Sequence, residues 1–192
     1  MSSRHFLFIV SSARVPGAVG NTEQLARAAA RHLPAGATSI WLHLNALDLD
    51  DFDDRRHDVG TYPMPEGDTV RLLDATLEAT DLVFVTPLYW YSFPNRLKRY
   101  LDHWSAWMRV DGLPFKERMK GKRVWAITTS GNREKTQPMF DSLRLCAEFL
   151  AMDWQPPLWG QGGAPGAVEK DAAAMAAAAN YFGASDNPSM VA

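Results

Sequence analysis

The sequence predicts an α/β fold, in which a mostly parallel sheet has helices on both faces. Short apolar runs alternate along the chain with longer amphipathic stretches, as expected for repeated βα units. Two of the runs, Asp81-Leu-Val-Phe-Val-Thr-Pro87 and Arg123-Val-Trp-Ala-Ile-Thr-Thr129, are continuously apolar, which is typical of strands buried on both faces. Five such units in 192 residues indicate a three-layer, doubly wound sandwich.

The elements follow from these patterns in chain order. We expect strands at about 5–11, 38–44, 81–86, 122–129 and 153–159, and helices at 22–33, 67–80, 94–109, 137–151 and 167–182. The third helix places Leu97, Leu101, Trp104 and Met108 along one apolar stripe. The last helix is nearly all Ala and Met, a composition with high intrinsic helicity that packs closely on a sheet.

Length, composition and charge predict one domain over residues 1–192, with 185–192 as a frayed tail. A net charge of −2 provides no broad basic field for nucleic acid. The single cysteine, Cys146, excludes an intramolecular disulfide and a Cys-based zinc site, so we expect a reduced, cytoplasmic protein with Cys146 in the core. No apolar window approaches the length of a membrane span, and no signal peptide or membrane partner is expected.

The first strand leads into a loop with the composition of an anion site. After Phe6 to Val10 the chain becomes rich in Ser, Gly and Asn, and an Ala-rich helix then opens at about Thr22. Free N–H groups and the dipole at a helix N-terminus favour a phosphate. Ser11, Ser12, Asn21 and Thr22 add side-chain donors, and Arg14 adds a positive charge. The alternative is an ordinary turn, in which Asn21 and Gln24 cap the helix in a variant of the capping box.

Two further loops follow the third and fourth strands. The segment 87–94, Pro-Leu-Tyr-Trp-Tyr-Ser-Phe-Pro, holds four aromatic residues between two prolines, which is a suitable surface for a flat ring. Its aromatics could instead cover the core or form a subunit contact. The segment 128–132, Thr-Thr-Ser-Gly-Asn, is small and rich in donors, so its backbone can approach a ring edge closely. Because ligands of doubly wound sheets bind beyond the carboxyl ends of the strands, the three loops together outline a phosphate, a flat ring and a polar ring edge, as in FMN.

These motifs resemble those of the flavodoxin-like NAD(P)H-dependent FMN reductase and NAD(P)H:quinone oxidoreductase superfamily. The resemblance spans roughly residues 5–182. It rests on Ser12-x-Arg14 with Gly20-Asn21-Thr22, on Thr86-Pro-Leu-Tyr-Trp-Tyr91 with Pro94-x-x-Leu97-Lys98-x-x-x-Asp102, and on Thr129-Ser130-Gly131. The spacing from Arg14 to Asn21 is longer than in many relatives.

The resemblance implies a flavodoxin-like five-stranded parallel sheet of order 2-1-3-4-5 and a site for FMN. In that site Ser12, Arg14, Gly20, Asn21 and Thr22 would surround the phosphate. The isoalloxazine would lie against Pro87, Leu88, Tyr89 and Trp90, and its pyrimidine edge would meet backbone donors near Thr129, Ser130 and Gly131. No metal and no catalytic side chain are implied, because the flavin carries the redox chemistry.

The activity that the resemblance implies is an oxidoreductase using NADPH or NADH. Hydride would pass from the nicotinamide through bound FMN to a quinone, free flavin or similar small acceptor. The alternatives are a non-enzymatic, flavodoxin-like electron carrier and a flavin-free binding protein. Arg14 and the modest net charge of −2 favour the enzyme, since carriers usually lack such an Arg and are commonly strongly acidic.

Three remaining features are given structural interpretations. The aspartates between Asp48 and Asp54 could bind a cation, but the adjacent Arg55, Arg56 and His57 favour a solvated charged loop. The glycines between 160 and 166 lack the spacing and the following βαβ unit of a dinucleotide fingerprint, so we interpret them as the turn into the last helix. His103 could face a partner or the mouth of the active site, but an ordinary surface histidine is favoured.

The tryptophans suggest an oligomer. Seven occur in the chain, and Trp104 and Trp107 lie on neighbouring faces of one helix, so we expect more apolar surface than one small domain can bury. We therefore expect a homodimer or homotetramer.

Overall fold

The computed structural model describes the backbone of residues 3–186 and the side chains of residues 3–183. Within the described residues, six strands form one parallel sheet: β1 (His5–Val10), β2 (Thr38–His43), β3 (Asp81–Val85), β4 (Arg123–Ser130), β5 (Asp153–Trp154) and β6 (Leu158–Gln161). The same part of the chain contains six α-helices: α1 (Asn21–Ala30), α2 (Gly67–Glu78), α3 (Asn95–Trp107), α4 (Phe115–Met119), α5 (Gln137–Phe149) and α6 (Ala172–Asn180). The short helix α4 was not predicted.

The strand order is β2-β1-β3-β4-β5, which confirms the predicted order 2-1-3-4-5. The fifth position is divided, because β5 and β6 both pair with β4 and are separated by Pro156 and Pro157. Proline has no N–H to donate to a ladder, so the pairing stops and resumes one residue out of step. Arg123 pairs with Asp153, whereas Ile127 pairs with Leu158.

Both faces of the sheet are covered, as the continuously apolar runs predict. Every residue of β3 is buried, and so are the six central residues of β4. One core cluster holds Phe8 and Trp125 and packs under α1 and α6, while the other holds Leu82 and Tyr100 and packs under α2, α3 and α5. All strands point the same way, so their carboxyl ends and the three predicted loops meet at one edge.

The last predicted helix is divided into shorter elements. A 3-10 turn at Ala167–Lys170 precedes α6, and a second at Tyr181–Asp186 follows it. Asp171 begins α6 by accepting a hydrogen bond from the N–H of Ala174. Ser185 and Asp186 end the second turn, whereas the rest of the predicted tail, 187–192, lies outside the described residues.

The irregular segment 47–66 lies against α3, where Phe52 and the carbonyl oxygen of Asp50 contact His103. The rings of Trp104 and Trp107 pack instead against Tyr100 and Phe115. Trp104 and Trp107 are 5% and 1% exposed, so the prediction that they supply apolar surface for a partner is wrong. The prediction of a surface His103 is also wrong, since its ring stacks on Trp107 and its Nε2 lies 2.8 Å from the carbonyl oxygen of Asp50. A long loop can bury such groups through contacts that have no local sequence signal.

The charged part of the same segment agrees with its interpretation as a solvated loop. Arg55 pairs with Asp53 and Arg56 pairs with Asp54 at the surface. In the part of the chain whose side chains are described, no group of acidic residues, histidines and cysteines could hold a metal ion. Cys146 is partly buried against the core, and burial raises the pKa of its thiol.

Candidate functional site

A cleft with a cavity volume of about 160 Å³, partly open to solvent, lies at the carboxyl edge of β1, β3 and β4. One wall is the β1–α1 segment, with Ser12, Arg14, Gly20, Asn21 and Thr22. The facing walls are Pro87, Leu88 and Tyr89 after β3, and Thr129 and Ser130 at the end of β4. The fold therefore brings together all but two of the residues predicted for the cofactor. Trp90 and Gly131 belong to the same loops but do not line the cleft.

The N-terminus of α1 faces this cleft without a side-chain cap. Gly20 is the N-cap residue, and the first turn has no side-chain capping hydrogen bond. The N–H groups of Asn21, Thr22 and Glu23 consequently have no intrahelical acceptor, which is the arrangement that binds anions. The alternative interpretation, in which Asn21 and Gln24 form a capping box, is wrong.

Asn21 instead joins α1 to the segment after β6. Its amide nitrogen donates to the carbonyl oxygens of Gly163, at 3.3 Å, and Ala164, at 2.9 Å. The Asn21 side chain is therefore occupied by hydrogen bonds within the protein, and its backbone N–H is the donor available to a ligand in the cleft. Thr22 is similarly engaged, with its hydroxyl 2.7 Å from that of Thr129. These two contacts fix the helix N-terminus against the ends of β4 and β6.

Arg14 lies back across the N-terminus of α1. A Cβ atom at Gly20 would stand 3.1 Å from its Nε, so the absence of a side chain at Gly20 allows the guanidinium to pack there. Among the side chains of residues 3–183, no carboxylate pairs with Arg14. The loop backbone is anchored by Asn45, whose amide donates to the carbonyl oxygen of Arg14 at 2.7 Å. A positive charge without a counterion therefore lies beside free N–H groups, which favours an anionic ligand.

The second wall is a tight turn after β3 that carries backbone strain. Tyr89 and Ser92 exchange two backbone hydrogen bonds, of 2.8 and 3.0 Å, around Trp90 and Tyr91. Both central residues have positive φ, +50° and +63°. This left-handed pair suits Asn-Gly and costs bulky residues about 1–2 kcal/mol each. Trp90 is 93% exposed, so its side chain leaves the cleft instead of lining it.

The segment after β6 supplies a wall that the sequence interpretation missed. Gly162 and Gly163 line the cleft, although these glycines were interpreted only as a turn into the last helix. A Cβ at Gly162 would stand 2.9 Å from the backbone nitrogen of Ser130, so only glycine fits against this strand end. The available signal was their position directly after a strand, since all parallel strands end at the same edge.

Hydrogen bonds hold this wall in place against the end of β4. The N–H of Gly162 donates to the carbonyl oxygen of Ser130 at 2.8 Å, and the indole N–H of Trp159 donates to the Ser130 hydroxyl at 2.9 Å. Asp171 accepts from the N–H groups of Ala174 and Gln161, and these bonds lower the pKa of its carboxyl. The third predicted loop is thus fixed by residues far along the chain, since Trp159 and Ser130 are 29 positions apart.

Comparison with known proteins identifies the class to which this fold and cleft belong. The family described as having a flavodoxin-like fold matches residues 4–184, and the chain belongs to this family. A curated relative is 28% identical over 170 residues, covering 87% of this chain and 92% of its own. It is the putative NAD(P)H-dependent FMN-containing oxidoreductase YwqN of Bacillus subtilis.

Two solved structures show the same fold at lower identity. The Trp repressor binding protein of Bacillus subtilis has a TM-score of 0.68 at 23% identity, with 92% of this chain and 96% of that chain covered. An FMN-dependent NADH-azoreductase of Bacillus anthracis, solved with FMN, also has a TM-score of 0.68, at 16% identity, with 96% and 100% covered. No described helix of the present chain is long and apolar enough to cross a bilayer.

Proposed function

We propose that the protein is an FMN-dependent NAD(P)H oxidoreductase. Electrons would pass from NADH or NADPH through FMN to a quinone, free flavin or similar small acceptor. The observation that carries the proposal is the Arg14 guanidinium, which pairs with no carboxylate among the described side chains and lies beside the uncapped N-terminus of α1, in a cleft that Leu88 and Tyr89 also line. The relation to a curated protein whose name states NAD(P)H dependence and FMN content supports it.

The donor set fits FMN in charge and order along the cleft. Ser12, Arg14 and the N–H groups of the first turn of α1 would hold the phosphate dianion. The segment 87–89, with Pro, Leu and Tyr, offers an apolar surface to the isoalloxazine. The ends of β4 and β6 lie close together because Gly162 has no side chain. The polar edge of the ring would lie against these two strand ends.

FMN, when bound, supplies the two-electron redox chemistry. In this proposal the chain's own residues bind and orient, and no side chain acts as acid, base or nucleophile. Backbone donors of the segment 129–131 would stabilise negative charge at the pyrimidine edge, because fixed dipoles need no reorganisation. The Thr22–Thr129 hydrogen bond joins the N-terminus of α1 to the end of β4, so it would help to hold the proposed phosphate site at a fixed distance from the proposed ring-edge site.

Steady-state kinetics test the proposal. Purified protein with added FMN should oxidise NADH or NADPH continuously in the presence of menadione, at a rate proportional to both protein and bound FMN. A flavodoxin-like electron carrier would show negligible steady-state turnover under the same conditions. If neither NADH nor NADPH supports turnover, the proposal is overturned.

The remaining predictions concern the protein as a whole. We propose one FMN-binding domain over residues 1–192, a cytoplasmic location and no nucleic-acid partner. A homodimer or homotetramer stays a prediction, although Trp104 and Trp107 no longer support it because both are buried within the chain. Light scattering at micromolar concentration would measure the mass.

A further inference from the structure

A second cavity, of about 260 Å³, lies between the irregular segment 47–66 and the second half of α3. Four rings line this aromatic cavity, those of Phe52, Tyr62, His103 and Trp107. It shares no lining residue with the cleft at the carboxyl edge of the sheet. By His103, α3 has risen about 12 Å from its first residue, Asn95. The aromatic cavity is therefore separate from the proposed FMN site.

The four rings form a continuous, anchored chain of contacts. Neighbouring centroids are 6.1 Å apart for Tyr62 and Phe52, 6.4 Å for Phe52 and His103, and 6.0 Å for His103 and Trp107. The Tyr62 hydroxyl accepts from the N–H of Arg55 at 2.6 Å and donates to the carbonyl oxygen of Asp53 at 3.0 Å. Rings that are held in this way lose little conformational entropy when a ligand binds against them.

Trp107 provides a hydrogen-bond donor that the protein does not use. Its indole N–H is buried and has no hydrogen-bond partner among the described residues. Buried donors without a partner are rare, and protein interiors normally leave no space of this size. Packing for stability alone would fill the space and pair the donor, so both features favour a ligand that presents a hydrogen-bond acceptor.

The charges around the aromatic cavity favour a cation. Three aspartates line it, Asp50, Asp51 and Asp53, against one arginine, Arg55. Asp53 pairs with Arg55, and Asp51 pairs with Arg99. The carboxylate of Asp50 has no ion-pair partner in the part of the chain whose side chains are described. Aromatic faces beside a free carboxylate are the groups that recognise an organic ammonium ion.

We propose that the aromatic cavity binds an aromatic ammonium ion that also carries a hydroxyl group. The ring of this ligand lies against Phe52 and Tyr62, and its ammonium group faces Asp50. Its hydroxyl oxygen accepts from the indole N–H of Trp107. Binding there does not depend on the proposed redox activity, because the two cavities have no lining residue in common.

Three probes of similar size test the inference by NMR titration of the full chain with FMN present. Tyramine, which has the ring, the ammonium group and the hydroxyl, should bind saturably with a dissociation constant below about 1 mM and shift the indole N–H signal of Trp107. In 4-hydroxyphenylacetate a carboxylate replaces the ammonium group, so binding should be at least about tenfold weaker. Phenethylamine lacks the hydroxyl and should bind about three- to tenfold more weakly than tyramine. Tyramine that fails to saturate, or that binds no better than 4-hydroxyphenylacetate, would overturn the inference.

Two aspartates of the same segment provide a matched pair of variants. Asp50→Asn removes the free carboxylate and should weaken tyramine binding about three- to tenfold. Asp58 is also exposed but does not line the aromatic cavity, so Asp58→Asn should bind tyramine like wild type. Equal effects of the two substitutions would contradict the assigned site. FMN affinity, measured on the same samples, should stay within about twofold of wild type in both variants, so the proposed function is tested separately; a larger loss in Asp50→Asn would show that the two sites are not separate.

Discussion

The two ends of the sheet treat their polar groups in opposite ways. At the amino end, Asp81 is fully buried and its carboxylate accepts from Arg4, Arg123, Trp125 and Thr80 at 2.6 to 3.4 Å. At the carboxyl end, Arg14 lacks a carboxylate partner among the described side chains and α1 begins without a side-chain cap. The first arrangement stabilises the fold, and the second leaves charge and donors available to a ligand.

The comparison distinguishes residues that stabilise the fold from residues that are available to bind a ligand. Burial alone would raise the pKa of Asp81, but hydrogen bonds from Arg4 and Arg123 outweigh it and lower that pKa to about 2. The Trp90–Tyr91 pair lies at the other end, and its left-handed backbone conformation is unfavourable by about 1–2 kcal/mol per residue. Variants at the two ends should therefore change different measurements.

The largest effect is expected at the amino end. Asp81→Ala removes the shared acceptor of two guanidinium groups and should lower the free energy of unfolding by about 3–5 kcal/mol, measured by urea denaturation without flavin. The exposed pair of Asp53 and Arg55 provides the control, and Asp53→Ala should cost less than about 1 kcal/mol. Similar losses in the two variants would contradict the assigned role of Asp81.

At the carboxyl end, Arg14→Ala should weaken binding without weakening the fold. We expect the dissociation constant for FMN to rise about 10- to 100-fold, because one charge-assisted contact to phosphate is lost. Binding of riboflavin, which has no phosphate, should change less than about twofold, and the unfolding free energy less than about 0.5 kcal/mol. An equal loss for both flavins would place Arg14 away from the phosphate.

The stability of the fold at acidic pH should depend on Asp81, which lies at the amino end of the sheet. Because its pKa is lower in the folded than in the unfolded chain, its ionised form contributes stability above about pH 4, and that contribution disappears as pH falls towards 2. The loss attributable to this carboxylate should be no more than about 2 kcal/mol, seen as a steeper acid limb in wild type than in Asp81→Asn. Parallel acid limbs would show that other carboxylates dominate.

The smallest effect is expected at the wall after β6. Gly162→Ala places a methyl group against the backbone of Ser130 and should cost about 1–2 kcal/mol of stability, with weaker FMN binding, measured by denaturation and titration. A Cβ at Gly183 meets nothing within 4 Å, so Gly183→Ala should be neutral. If Gly162→Ala binds FMN like wild type, this wall does not position the flavin edge.

The sheet and most of the cleft could be predicted because their signals are local. Buried parallel strands need continuous apolar runs, and the connecting loops after them meet at one edge whatever their partners are. Thus the strand order and the loops containing Ser12, Tyr89 and Thr129 followed from pattern and resemblance.

The remainder depends on contacts between distant parts of the chain. Gly162 lies next to Ser130 only in the folded sheet, and Asn21 bonds to carbonyls more than 140 residues away. Nothing in the dipeptide Trp90-Tyr91 indicates a left-handed turn, because such turns are normally found at Asn-Gly. The segment 47–66 contacts His103 through Phe52 and the backbone of Asp50, and Trp107 packs against Phe115 from the segment after α3, so both are buried through tertiary contacts.

The central claim is that the carboxyl edge holds FMN by its phosphate, and one titration tests it most directly. Wild-type protein should quench the fluorescence of FMN with saturable, one-to-one binding, and it should bind riboflavin at least about tenfold more weakly. Equal affinity for the two flavins, or no saturable binding of FMN, would contradict the account.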